Sequence, residues 1–353
     1  MKKYFFLLLY GKIKIEKLSI KKYLIKRLKI NKGEFINLYK IFDGRIYTDC
    51  KTNVAYIKGN NLIQKISYQQ NKHSLGSLRY NSTLQKGTPA FKKKIIGRVF
   101  SLVQGASGSN YFHWLFDILP KIEILHKNDY LKNIDFFYVP MINNFILKTL
   151  RPYGIKKKQL INSSSQKHIE ADEILTFEHL YFKKGNWHNS FETIPKWIIL
   201  FLQTKFIKFK KKISIKKNFF IDRSDSKFGH YKITNQIELK TLLKKNGFDY
   251  IQLSKIDWFK QIYIFNNAKT IIAPHGAGLA NIVFCKKNTK IFEILIKNDS
   301  QRNMYQNIGE KVKLNYKKII ISNKKKTNND RKIELNNSIL KKIFTNNFQK
   351  TNN

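Results

Sequence analysis

The segment Thr270-Ile-Ile-Ala-Pro-His-Gly-Ala-Gly-Leu-Ala-Asn-Ile-Val-Phe-Cys285 sets a histidine and two glycines between a β-branched run and an apolar one. Thr270–Ala273 reads as a buried strand, and Gly278–Cys285 as the start of a helix. A strand that passes through glycines into a helix N-terminus offers backbone N–H groups and the positive end of a helix dipole. Those features suit a diphosphate, to which His275 can donate a hydrogen bond. A second constellation lies in Gly105–Leu125, where His113 and Asp117 stand four residues apart and share one helical face. Two such ligands make only a weak metal site. No Asp-x-Asp triplet is present, and Asp222-Arg-Ser-Asp225 is one residue too long to serve as one. No metal ligands are assigned, and metal-independent chemistry is expected.

The elements that must position these residues can be read on either side of them. Ser109 or Asn110 can cap the helix that carries His113, and Pro120 should kink it or divide it. Strands are expected at Phe35–Phe42, Asn53–Ile57, Phe136–Val139 and Ile174–Phe177, with turns at Asp43-Gly44 and Gly59-Asn60. From Asn218 onward the pattern is regular. Asn218–Asp222, Tyr250–Leu253, Thr270–Ala273 and Lys290–Leu295 read as strands. Asn235 with Glu238 forms a capping box closed by Gly247, and Ser254 or Asp257 opens the next helix. Strands alternating with helices imply an α/β fold with a parallel sheet, which binds ligands outside the carboxyl ends of its strands. Arg223 and His275 both sit at such ends.

Composition sets the bounds. The chain of 353 residues is long enough for two domains. The Lys-rich stretch Lys205–Lys217 marks a boundary: residues 1–205 form an N-terminal α/β domain, 206–322 a C-terminal Rossmann-like domain, and 323–353 a Lys/Asn-rich tail. In that tail Ile333, Leu335, Ile339, Leu340 and Ile343 fit one amphipathic helix, and the last residues are expected to fray. The net charge of +45 comes chiefly from Lys, in a chain also rich in Ile and Asn. That bias points to coding composition more than to nucleic-acid recognition, for which Arg is the better reader. Two cysteines, Cys50 and Cys285, form no disulfide framework and fit a reduced, cytoplasmic chain. The apolar run at Met1–Gly11 is too short to span a bilayer and reads as a first strand or an interfacial contact.

Three blocks carry a family resemblance: Asn110-Tyr-Phe-His-Trp-Leu-Phe-Asp-Ile-Leu-Pro-Lys121; Phe220-Ile-Asp-Arg-Ser224 with Asn235 downstream; and Trp258-Phe-Lys-Gln261 through Phe265-Asn-Asn-Ala268 to Pro274–Phe284 and Ile291-Phe-Glu-Ile294. The chain resembles the glycosyltransferase 61 family, of the capsular polysaccharide biosynthesis type, over roughly residues 100–300. It departs from the family pattern at Lys232, Gln236 and Lys260, where a second arginine, a glutamate and an acidic residue are expected.

The resemblance implies a GT-B-like architecture, two Rossmann-like domains facing across a cleft, and inverting transfer from a nucleotide sugar to a hydroxyl of a growing glycan. Such transfer needs a base for the acceptor proton and stabilisation of the departing diphosphate. His113 is the expected base, oriented by Asp117, with Asp117 itself as the second choice. Gly276, Ala277 and Gly278 would receive the diphosphate, with His275 bridging it to the sugar and Arg223 adding fixed charge. Glu293 would bind the ribose hydroxyls. Asn281 would line the site, or else satisfy helix backbone. The nucleotide sugar is a co-substrate, no cofactor is expected, and the acceptor is a glycan or lipid-linked glycan. Peripheral contact with the inner, anionic membrane face is expected from charge. Two other readings compete: a basic nucleic-acid-binding protein, and a degenerate glycosyltransferase-like binding protein.

Overall fold

The computed structural model describes residues 2–17, 19–69, 81–104, 110–181, 194–225, 231–300, 302–321, 333–335, 338–341 and 344. They form two compact units, Met1–Thr193 and Ile194–Asn353. The division falls before the Lys-rich stretch, because the apolar helix Lys196–Phe206 buries Ile198, Ile199, Phe201, Leu202 and Phe206 within the second unit.

Unit 1 is built on a ten-stranded sheet. Its strands are β1 (Lys14–Ile15), β2 (Leu24–Asn31), β3 (Glu34–Thr48), β4 (Asn53–Lys58), β5 (Asn61–Leu62), β6 (Tyr68–Gln69), β7 (Lys92–Ser101), β8 (Phe136–Val139), β9 (Leu160–Asn162) and β10 (His168–Phe177). The order along the sheet is β1-β5-β4-β3-β10-β7-β8-β9, with β2 on β3 and β6 on β4. The run β10-β7-β8-β9 is parallel, whereas β2, β3, β4 and β10 pair antiparallel. The sheet is therefore mixed, a parallel half joined to an antiparallel one, within an α/β unit. The long hairpin strand β3 runs straight through Asp43-Gly44, expected as a turn. Asp43 takes φ +44°, and a Cβ on Gly44 would press into Ile41, so the pair acts as an irregularity within the strand. Gly59-Asn60 does turn between β4 and β5. Residues 2–10, read as a strand or an interfacial segment, form a helix.

Unit 2 carries a five-stranded sheet of β11 (Asn218–Asp222), β12 (Asp249–Gln252), β13 (Thr270–Pro274), β14 (Lys290–Ile296) and β15 (Asn315–Ile321). The order is β12-β11-β13-β14-β15, and every pair is parallel. β13 is buried along its whole length, which is why it reads as a continuous apolar run. The chain leaves β11 toward one edge to make β12, then returns past β11 to make β13 and the opposite edge. A parallel sheet of this order has its switch point between β11 and β13, where ligands bind beyond the strand ends. Arg223 follows β11 and His275 follows β13.

The last described residues complete the core of unit 2. Ile333 pairs with Ile233 as an isolated parallel bridge, and Ile333, Leu335, Leu340 and Phe344 are buried with Leu239, Leu243 and Phe292. Asn235 is drawn into this packing. It precedes the helix Gln236–Lys245 but makes no side-chain cap to it. Its amide instead donates to the Leu335 carbonyl at 2.9 Å and accepts from the Leu335 N–H at 3.1 Å. The expected capping box is replaced by a clasp on the tail, because a buried segment leaves its own backbone groups to be satisfied. Ile343 lies outside the described residues. Among those described, no helix is long and apolar enough to cross a membrane.

If the tail is part of the core, Leu340→Ala should destabilise unit 2 by roughly 2–5 kcal/mol, the range for a fully buried leucine. Chemical denaturation followed by circular dichroism reads this. An unchanged midpoint would mean that the tail does not pack here in solution.

Candidate functional site

Each unit places one sequence-predicted histidine on a buried carboxylate. In unit 2 the His275 N–H donates to the Ile294 carbonyl of β14 at 2.9 Å, which carries the strand register one residue past β13. Across the same pair of strands, His275 Nδ1 lies 2.5 Å from Glu293 Oε1. Glu293 is completely buried, and its other oxygen accepts from Tyr316 Oη at 2.7 Å. The glutamate expected to bind ribose thus has both oxygens engaged inside the protein, where it orients His275. A parallel sheet covered on both faces buries its strand residues, so Glu293 tolerates its position only because it is fully hydrogen-bonded.

His275 Nε2 faces Arg302 Nη1 at 3.3 Å. A guanidinium can only donate, so Nε2 accepts and the ring proton sits on Nδ1, given to Glu293. His275 was expected to donate to a diphosphate; here the group beyond its ring is an arginine. Arg302 is held by Asp299 Oδ1 at 3.1 Å, and Asp299 Oδ2 accepts from Tyr231 Oη at 2.7 Å. Arg302 keeps about a third of its side chain exposed (29%).

Arg223 approaches the same histidine from β11 and donates through Nη1 to the His275 carbonyl. Burial lowers the pKa of its guanidinium, and Tyr305, Asp225 and Tyr231 counter that; an arginine stays charged regardless. A Cβ on Gly276 would overlap this guanidinium, so a larger residue there would have to push Arg223 off the His275 carbonyl. Asp222, the residue before Arg223, closes the strand end. Its carboxylate accepts from Ser224 N–H and Oγ at 2.9 and 2.7 Å and from Gln252 Nε2 at 2.7 Å. Burial raises its pKa, but these hydrogen bonds outweigh that and hold it below the ordinary value.

Gly276, Ala277 and Gly278 are partly exposed and lead into the expected helix, a 3-10 helix over Ala277–Phe284. Asn281 within it is completely buried and donates to Gln261 Oε1 at 3.0 Å; Gln261 in turn donates to the Leu253 and Ile256 carbonyls. Asn281 therefore braces the loop after β12 and does not line an open site. Cys285 is buried, which pushes its thiol pKa far above the usual range and makes it inert.

In unit 1 Asn110 caps the first turn, its Oδ1 accepting from the Phe112 N–H at 2.9 Å; Ser109, the other candidate cap, lies outside the described residues. The turn widens to a π-helix over Trp114–Ile118 before the α-helix Leu119–Lys127 resumes. Pro120 was expected to kink or divide the helix; the segment is divided, and Pro120 sits in the first turn of the last piece, where its missing N–H costs no bond within that helix. His113 Nδ1 meets Asp117 Oδ2 at 2.6 Å, and Tyr181 Oη donates to Asp117 Oδ1. Burial raises the Asp117 pKa most, yet His113, His179 and Tyr181 together bring it below its ordinary value. Lys121, one turn further, is 3% exposed, and burial lowers its pKa to about 8 against the pull of Asp117. Burial likewise drops His179 to about 4.

Sequence reasoning missed Arg302, Asp299 and Tyr316 in unit 2, and Tyr181, His179 and Lys121 in unit 1. A signal was available: Asp299 and Arg302 follow the carboxyl end of β14, and His179 and Tyr181 follow that of β10. Among the described residues, no three His, Cys, Asp or Glu side chains converge as a metal site requires.

Two outcomes follow. Between pH 8 and 10 the unfolded Lys121 holds more proton than the folded one, so unit 1 should gain stability as pH rises, by about 3 kcal/mol at most. Lys121→Met should flatten that slope in pH-dependent denaturation, and an equal slope in the variant would refute the buried lysine. In unit 2, Tyr316→Phe should leave the fold intact and change the nitrogen shifts of the His275 ring by NMR; unchanged shifts would mean that Glu293 does not control the ring.

No curated protein matches the chain. Residues 111–292, more than half of it, match the family described as Glycosyltransferase 61, and the match runs from the turn that carries His113 to the strand that carries Glu293. The two histidines set on buried carboxylates, and the arginines gathered at a parallel-sheet switch point, stand within the family's sequence pattern or just beyond its end: the chain belongs to the glycosyltransferase 61 family.

Proposed function

We propose that this glycosyltransferase performs inverting transfer from a nucleotide sugar to a hydroxyl of a glycan acceptor, in the assembly of a surface polysaccharide. The observation that carries this reading is the convergence of Arg223 and Arg302 on His275 at the switch point of unit 2, beside the exposed backbone of Gly276–Gly278. A diphosphate leaving group needs charge neutralised in place, without reorganisation during the reaction. Two guanidiniums, Arg302 held by Asp299 and the His275 ring and Arg223 held by the His275 carbonyl, supply that.

In unit 1 the His113–Asp117 pair is the base. Asp117 accepts a hydrogen bond from Nδ1–H and so fixes the tautomer, leaving Nε2 as the atom that accepts the acceptor's hydroxyl proton. The hydroxyl oxygen forms its bond to the anomeric carbon from the face opposite the diphosphate. The bond from that carbon to the diphosphate oxygen breaks, and its electron pair leaves with the diphosphate. Tyr181 fixes the second oxygen of Asp117, so the carboxylate cannot swing away from the imidazole. Because the arginines neutralise the leaving group, the reading needs no metal ion.

Melting curves with a panel of nucleoside diphosphates test the donor site, since a ligand that binds only the folded state raises its melting temperature. One nucleotide should stabilise the wild type with or without EDTA, and the gain should vanish in Arg302→Gln and Arg223→Gln. No stabilisation by any nucleotide, together with tight salt-sensitive binding of nucleic acid, would contradict the reading. With donor and acceptor in hand, His113→Ala should lower kcat by about 10²–10⁴-fold while leaving nucleotide binding unchanged; an unaffected kcat would remove His113 as the base.

A further inference from the structure

The helix Lys2–Tyr10 rests on unit 1 by one face only. Phe6 is buried and its ring packs 5.2 Å from that of Phe91. Tyr10 stacks on Phe6 and accepts a hydrogen bond from the Lys92 N–H at 2.9 Å, and Leu7 reaches Gly87. The helix is thus fixed, not frayed. Its other face carries Tyr4, Phe5, Leu8 and Leu9, exposed by 71%, 51%, 87% and 50%. Phe91, itself 71% exposed, continues the patch through its ring contact with Phe5. Large apolar side chains scattered singly over a surface need no explanation, but five gathered around one anchored helix do.

The fringe of the patch is predominantly basic, and the carboxylate at its edge, Glu170, is already paired with Lys92 at 2.5 Å. Lys12 and Lys14 follow the helix, Lys86 adjoins Gly87, and Lys93 and Lys94 follow Phe91; all five are exposed. Neither residues 1–15 nor residues 86–100 contain a carboxylate. We propose that this face docks on an anionic phospholipid bilayer, with the aromatic and leucine side chains at the boundary between headgroups and acyl chains and the lysines on the headgroup phosphates. Nine helical residues span only about 13 Å, so the helix lies in the interface and does not cross it. The charge decides among occupants. A second copy would bring two lysine-fringed faces together, and nucleic acid would gain nothing from Leu8 and Leu9. This inference is independent of the transferase reading.

Flotation of the full chain with vesicles tests it. The chain should float with phosphatidylcholine vesicles that contain phosphatidylglycerol, far less with phosphatidylcholine alone, and less at high salt. Leu8→Glu changes a side chain that is almost wholly exposed, so its melting temperature should match the wild type while vesicle binding falls about tenfold or more. In Leu8→Trp, binding should persist and tryptophan emission should shift to the blue on anionic vesicles. Undiminished binding by Leu8→Glu would overturn the proposal, as would equal binding to neutral vesicles. So would a wild type that ignores vesicles and instead forms a dimer that Leu8→Glu dissolves.

Discussion

The hydrogen bond between His275 and Glu293 ties together everything at the end of the parallel sheet. It joins neighbouring strands that are already in register, and it holds a carboxylate where no water reaches. A buried carboxylate with a missing partner costs several kcal/mol, so the arrangement has little freedom to relax. With the Nδ1 proton given to Glu293, Nε2 can face only a donor, which is Arg302. With the backbone drawn tight against β14, the His275 carbonyl is presented to Arg223. Gly276 leaves room for the Arg223 guanidinium, which occupies the space a side chain would take there. One hydrogen-bonded ring thereby sets the places of two cations and of the partly exposed turn that follows.

Unit 1 repeats the device with different parts. A π-turn before Pro120 brings Asp117 under His113, and a tyrosine from the segment after β10 closes the other oxygen. The surrounding groups are unusual for an interior: a lysine, a second histidine and an aspartate sit within one another's fields. Interiors tolerate such clusters where they do work, and perturbed titration in a helix turn of irregular geometry is a mark of a functional site.

The sequence was informative where a local rule decided the outcome. Four of the five strands of unit 2 were legible because each is a short apolar run bounded by turn residues, whereas β15, with lysines inside it, was not read; Asp257 caps its helix as its spacing suggests, its Oδ1 accepting from the Phe259 N–H at 3.0 Å. Arg223 and His275 were legible because strand ends in parallel sheets collect ligands. Reading failed where a long-range partner decided. Asn235 has every local feature of a cap, yet it binds Leu335, a hundred residues away. Glu293 looked free for a ribose only because Tyr316, one strand over, is not adjacent in sequence. Arg302 and Tyr181 lie beyond strand ends without a motif around them, so only the fold brings them to their histidines. The mixed sheet of unit 1 escaped because alternation shows that strands exist, but not which neighbours they take or in which direction.

The most direct test is the protonation of the His275 ring, read from its nitrogen chemical shifts in protein labelled with 15N-histidine. A neutral ring with its proton on Nδ1 and a bare Nε2 is expected, with Nδ1 shifting when Glu293 is replaced by Gln. A proton on Nε2 in the neutral ring would contradict both the contact with Arg302 and the site built around it.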